Sequence, residues 1–237
     1  MKLVYQIQRV FWHIKQIMPK NVKYKEIHYS QEGEDINIDR LLGYKKEGFY
    51  IDIGCYHPFQ YSNTYLFYKK GWNGINVDAK KETIDLFQKH RKRDINLNVG
   101  VGEKLGQLEY FMFKAGAENT FSKERAQEMI DKDPTGYLGS RIVEVQSLSQ
   151  ILENNLPESQ EIDFMDIDVE GLDLEVLKSN DWNRFRPHYL LVEIDGTKEL
   201  KQVVSDEVVN YMETMQYSAI GKFLNTLLLV DACYYDR

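Results

Sequence analysis

The chain has 237 residues, 43% of them apolar and 13% aromatic, enough for one sizeable core and too few for two ordinary domains. With 28% charged residues, 5 prolines and 15 glycines, the proportions exclude a disordered or fibrous chain. The 30 lysines and arginines against 37 acids leave −7, a sign that argues against a general binder of nucleic-acid phosphates.

The charge is unevenly spread. Residues 1–25 hold Lys2, Arg9, Lys15, Lys20, Lys23 and Lys25 and no acid, so a basic arm precedes an acidic body. Leu3, Val4, Ile7, Val10, Phe11, Ile14, Ile17 and Met18 recur at three- and four-residue steps, which predicts an amphipathic helix stopped at Pro19. Two readings of it stand. The stripe packs on the body or on a second subunit as a homodimer, or it lies on an anionic membrane surface with Phe11 and Trp12 inserted. No run approaches the ~18 apolar residues of a membrane span, and the start lacks a cleavable leader pattern. Cys55 and Cys233 form neither a disulfide framework nor a zinc spacing. These features predict a cytoplasmic protein, peripheral at the membrane if the helix binds lipid, with residues 1–28 as arm and connector and 29–237 as the domain.

In that domain Ser30 is expected to cap a helix running to Leu42 and ended by Gly43. Strand and helix signals then alternate: strand Phe49–Gly54, helix Asn63–Lys70, strand Gly74–Asp78, helix Lys81–Arg91, strand Ile95–Val101. Residues 106–146 are less regular, with strands at Leu108–Phe113 and Ile142–Val145 and a polar helix at Lys123–Lys132, and read as an elaboration over the open sheet edge. The alternation resumes with helix Leu148–Asn154, strand Ile162–Asp168, helix Leu172–Lys178, strand Tyr189–Ile194 and helix Lys201–Met215. Strands Tyr217–Phe223 and Thr226–Ala232 are joined too closely to be parallel. The expected fold is α/β: a Rossmann-like methyltransferase arrangement, a mostly parallel seven-stranded sheet with helices on both faces and a C-terminal antiparallel hairpin.

Ligands of open α/β sheets bind beyond the carboxyl ends of the strands, and acids collect there: Asp52, Asp78, Asp166, Asp168, Glu170, Glu193 and Asp195. The loop Asp52-Ile53-Gly54-Cys55-Tyr56-His57-Pro58 has one glycine where a pyrophosphate site needs several, which argues against NAD or FAD. S-adenosylmethionine has no phosphate and needs one close backbone approach, with acids for its cationic groups. Asp78, at the end of the second strand, is placed for both ribose hydroxyls.

The run Tyr29-Ser30-Gln31-Glu32-Gly33-Glu34-Asp35, then Phe49 to Gly54, then Ser62-Asn63-Thr64, and Ile162 to Gly171 followed by Leu190-Leu191-Val192-Glu193, resembles the FkbM family of S-adenosylmethionine-dependent methyltransferases from about residue 29 onward. That resemblance implies methyl transfer to a hydroxyl oxygen, often on a sugar or polyketide, and the expected acceptor is a hydroxyl of a sugar or glycoconjugate. Asp52, Gly54 and Tyr56 would line the methionine part of the cofactor, Asp78 the ribose, and the Asn98–Val101 loop, with Asn98, the adenine. Gln31 and Glu34 would close the site, Asp166 would join the cofactor set, and Asp168, Glu170 and Glu193 would stand at the transfer centre. Many relatives carry a lysine where this chain has Asp166, and an alanine-asparagine pair where it has Cys55-Tyr56, so a lysine-based mechanism is untenable here.

The acceptor hydroxyl must lose a proton, to a carboxylate base or with help from Mg²⁺ or Mn²⁺ held by hard oxygens, Asp168 and Glu193 being the ligands favoured. His57 is either that base or, with Pro58, the shaper of a turn. Tyr61-Ser62-Asn63-Thr64-Tyr65 and Asn119-Thr120-Phe121-Ser122 mix amides and hydroxyls with aromatics, as sugar recognition needs, or else cap helices. Two rival functions remain at this level: an NAD-dependent sugar oxidoreductase, and a non-catalytic nucleoside-binding module of the same fold.

Overall fold

The computed structural model describes residues 26–235; the Leu3–Met18 helix lies outside the described residues. In chain order the strands are β1 (Phe49–Ile53), β2 (Asn73–Asp78), β3 (Ile95–Asn98), β4 (Gly100–Val101), β5 (Gly106–Phe113), β6 (Tyr137–Gln146), β7 (Ile162–Ile167), β8 (Pro187–Glu193), β9 (Tyr217–Lys222) and β10 (Thr226–Asp231). Seven of them form one sheet in the order β3-β2-β1-β7-β8-β10-β9. Every pairing from β3 to β8 is parallel, and β10 runs antiparallel to both β8 and β9. This is the doubly wound sheet with a C-terminal antiparallel hairpin that the chain-order signals predict.

Side chains alternate across a strand, so each strand serves two cores. Ile51, Ile53, Ile75, Val77, Met165, Ile167, Leu190 and Val192 face helices Leu148–Asn155, Asp173–Lys178 and Glu207–Thr214, which contribute Leu152, Val176, Leu177 and Met212. Tyr50, Phe164, Tyr189, Leu191 and Leu228 face the opposite side with Ile38, Phe67 and Trp72 from helix Glu34–Leu41, helix Tyr65–Lys70 and the turn after it. Each fully buried side chain of this size contributes about 1.5–3 kcal/mol. Continuing the second face toward the carboxyl ends of the strands gives Asp52, which pairs in register with Asp166. The fold therefore sets acids on the same face as an aromatic core.

Several boundaries differ from expectation, each for a local reason. Helix Glu34–Leu41 begins after Gly33, whose φ of 87° ends a turn; the Ser30 hydroxyl orders that turn, accepting from Gly33 N at 3.1 Å and donating to Asp35 Oδ1 at 2.8 Å. Ser30 is thus not the cap. The Ile95–Val101 strand divides: β3 ends the large sheet, while β4 opens a three-stranded sheet of order β4-β6-β5. The Lys201–Met215 helix is two, Leu200–Val203 and Glu207–Thr214, because the Asp206 carboxylate accepts from Val208 N at 2.9 Å and starts the second. Among the described residues no helix is long and apolar enough to cross a membrane.

Candidate active site

Beyond the carboxyl ends of the parallel strands lies a cavity of about 230 Å³. Its wall includes seven carboxylates, Glu34, Asp52, Asp78, Asp166, Asp168, Glu170 and Glu193, and no lysine, arginine or histidine among the described residues. Tyr56, Tyr61 and Asn63 close one side, and Tyr110, Asn119 and Phe121 of the 106–146 elaboration close another.

The loops meet over a single glycine. Gly54 has a φ of +88°, and a Cβ there would collide with the carbonyl oxygen of Asp168, whose N–H donates to Ile53 O at 3.0 Å. Glycine is thus required so that the exits of β1 and β7 lie against each other. Tyr56 (φ 39°), Tyr61 (φ 53°) and Glu170 (φ 56°) also line the cavity in a left-handed backbone. Such positions cost about 1–3 kcal/mol and persist only where their surroundings hold them. For Glu170 the holders are Thr120 Oγ1, donating to its carbonyl at 2.7 Å, and the Arg125 guanidinium, paired with its carboxylate.

Burial raises the pKa of Asp52 to about 6, against the pull of the Thr64 hydroxyl, which donates to it at 2.7 Å. Burial likewise brings Asp78 to about 6 although Lys80 N donates to it at 2.6 Å. Asp166, enclosed beside Asp52 and Asp168, is pushed well above the usual carboxylate range, with Asn63 Nδ2 donating at 2.9 Å. Asp168, Glu170 and Glu193 are all pushed upward by burial first and by neighbouring carboxylates next. Oxygens of these three lie within 4.8 Å of one another. Such a group shares protons among its members at neutral pH.

Of the residues singled out in the sequence, Gln31, Glu34, Asp52, Gly54, Tyr56, Asp78, Asp166, Asp168, Glu170 and Glu193 line this one cavity. Two others do not. His57 Nδ1 accepts from Phe59 N at 3.3 Å and Gln60 N at 3.1 Å, so the ring shapes the turn, and burial and His90 lower its pKa. Asn98 is exposed and donates at 3.0 Å to the carbonyls of Asp78 and Ala79, holding that loop, while Val99, Gly100 and Val101 make the wall. Sequence reasoning missed Tyr110, Gly116, Asn225, Thr226 and Arg125. Thr226 enters because β10 inserts next to β8 and pairs it with Glu193; Asn225 is held by Glu32, whose carboxylate accepts from its N and Nδ2 at 3.1 Å each. Neither placement has a local signal.

The donor set fits a cationic nucleoside such as S-adenosylmethionine: carboxylates at several strand ends and, among the described residues, no basic wall residue for a pyrophosphate. The hard oxygens of Asp168, Glu170 and Glu193 also have the chemistry of a divalent-cation site, with Arg125 competing for Glu170.

The Methyltransferase FkbM domain family matches residues 52–219. The crystal structure of Methyltransferase FkbM from Methylobacillus flagellatus KT is similar at 12% identity and a TM-score of 0.43, over 78% of this chain and 44% of that one. The crystal structure of monomeric WbdD is similar at 14% identity and a TM-score of 0.37, over 84% of this chain and 39% of that one. The chain thus spans less than half the length of each of these structures. No curated protein matches it. With the family match covering most of the chain and both the strand order and the acid-lined cavity in place, this protein belongs to the FkbM methyltransferase domain family.

Proposed function

We propose that the chain is an S-adenosylmethionine-dependent O-methyltransferase acting on a hydroxyl of a sugar or glycoconjugate. The observation that carries this reading is the cavity itself: seven carboxylates and, among the described residues, no basic side chain in its wall, at the cofactor end of the sheet of an FkbM-family chain. When bound, the cofactor supplies a methyl group activated by a sulfonium leaving atom. Asp52 and Asp166 are set to offset its positive charge, and Asp78 to accept from ribose hydroxyls. Tyr61, Asn63, Asn119 and Phe121 combine ring faces with amides where an acceptor sugar would stack and hydrogen-bond.

Transfer to oxygen needs the acceptor proton removed. Asp168, Glu170 and Glu193 already crowd one another, so an ionised member is a strong base. The same three oxygens would hold Mg²⁺ or Mn²⁺ if the enzyme uses one, and the cation would then lower the pKa of the acceptor hydroxyl. Holding donor and acceptor in line contributes up to roughly 7–11 kcal/mol.

The test is calorimetric titration with S-adenosylhomocysteine, with and without EDTA and Mg²⁺, followed by radiolabelled methyl transfer to a panel of glycosides. Micromolar binding and label in a glycoside support the reading. Binding of NAD in place of S-adenosylhomocysteine would establish an oxidoreductase. Cofactor binding with no transfer to any acceptor would favour a non-catalytic module. Activity that survives EDTA would leave the acids as proton acceptors alone.

A further inference from the structure

Beneath the cavity runs a buried polar chain that the proposed chemistry does not use. Arg91, at the end of helix Lys81–His90, is fully buried, as are Tyr50 and Thr64. Its Nε donates to Pro58 O at 2.9 Å, one terminal nitrogen to Tyr50 Oη at 3.1 Å, and the other to Ser62 Oγ at 3.0 Å and Thr64 Oγ1 at 3.4 Å. Tyr50 Oη in turn donates to Asp94 at 2.6 Å, which also accepts from Gly74 N and Asn76 Nδ2. At the other end Thr64 Oγ1 donates to Asp52 Oδ2 at 2.7 Å.

Two features give this chain a direction. Pro58 and Ser62 belong to the segment between β1 and helix Tyr65–Lys70, the same segment that carries the strained Tyr56 and Tyr61 and Asn63 into the cavity wall. Asp94, with three neutral donors and the guanidinium 3.7 Å away, anchors Arg91 from the far side and leaves its remaining donors for that segment. A planar fork reaching several acceptors at fixed angles is a role that arginine fills and lysine cannot. A fully buried cation costs several kcal/mol in desolvation and is destabilising unless every donor is placed.

We infer that Arg91 and Thr64 are positioning residues for the cofactor site: Arg91 fixes the 55–64 segment, and Thr64 carries that order to the Asp52 carboxylate. Neither touches the ligand. The part that concerns cofactor affinity rests on the reading under Proposed function; the part that concerns the segment does not.

The experiment pairs two readouts on the full chain. In calorimetry with S-adenosylhomocysteine, Thr64→Val is expected to weaken binding about tenfold, some 1.4 kcal/mol, and Thr64→Ser to stay within about twofold of wild type, with cooperative thermal unfolding in both. In hydrogen exchange on the unliganded protein, Arg91→Lys is expected to raise exchange of the 55–64 amides about tenfold while strand β7 is unchanged; if Arg91→Lys does not fold, Tyr50→Phe, which removes one acceptor of the same guanidinium, takes its place. Wild-type affinity in Thr64→Val, or an equal loss in Thr64→Ser, overturns the role of Thr64. Unaltered exchange across residues 55–64 overturns that of Arg91. If the wild type itself does not bind S-adenosylhomocysteine, the cofactor reading is what fails, and exchange of the segment decides the inference.

Discussion

The two ends of the same sheet treat buried acids in opposite ways. At the amino end of β7, Asp163 accepts from Phe49 N at 2.9 Å and from Lys45 Nζ at 2.6 Å. Nearby, Asp231 takes Arg186 through Nε at 3.0 Å and Nη2 at 2.9 Å, with Cys233 N at 3.0 Å. At the carboxyl end of β7, Asp166 and Asp168 face other carboxylates, and Arg125 is the one cation paired into the group among the described residues. Asp163, Asp231 and Asp166 are all buried, but the supply of partners differs between the ends. A chain that pairs its acids where only folding is at stake, and leaves them crowded around a cavity, concentrates uncompensated charge where a cationic ligand can offset it.

The largest effect expected from this contrast is on catalysis. Asp168→Asn or Glu193→Gln should lower methyl transfer by more than about a hundredfold if, as proposed, this group takes the acceptor proton. Asp168→Asn should also raise the thermal midpoint of the unliganded protein at pH 8, because burial and neighbouring carboxylates oppose its charge and an amide removes it. Full activity in both variants would take these residues out of the mechanism.

At the other end the signs reverse. Arg186→Ala leaves the nearly buried Asp231 without its bidentate partner and should cost ~2–3 kcal/mol in unfolding free energy, read by urea titration. Affinity for S-adenosylhomocysteine should not change. A fall in affinity that parallels the loss of stability would show that the two ends of the sheet are coupled, and the contrast would need redrawing.

What was legible in the sequence follows from the range over which each feature is determined. Alternating strands and helices announce themselves locally, and helix Lys123–Lys132 falls where the sequence pattern puts it. The acids were legible because strand ends can be located and ligands of such sheets bind there. Thr226 was not, because its place beside Glu193 depends on β10 inserting between β8 and β9, which no local residue states. Arg125 read as one charge on a polar helix, and only the long return between β5 and β6 brings it to Glu170. His57 and Asn98 show the opposite error: both are polar, both stand in the right loops, and both are used up in holding backbone.

The smallest effect, and the one that separates the two ends most cleanly, is in the pH dependence of stability. Asp231 is pushed up by burial but held below its ordinary value by Arg186 and Cys233 N; its contribution is present above the unfolded pKa and lost as pH falls through the lower folded value, below about pH 4. Asp78 and Asp173 have folded values of about 6, raised by burial, so they bind protons more tightly folded than unfolded. Their contribution is present at acid pH and lost as pH rises from about 4 through about 6. The unliganded protein should therefore become less stable as pH rises from about 4 to about 6, an interval over which paired carboxylates make most proteins more stable. Asp78→Asn should flatten that slope by an amount on the order of 1 kcal/mol, and Asp231→Asn should leave it alone. Thermal unfolding of the three proteins from pH 4 to 8 measures this; a wild-type midpoint that rises across the interval would mean that the cavity acids are compensated after all.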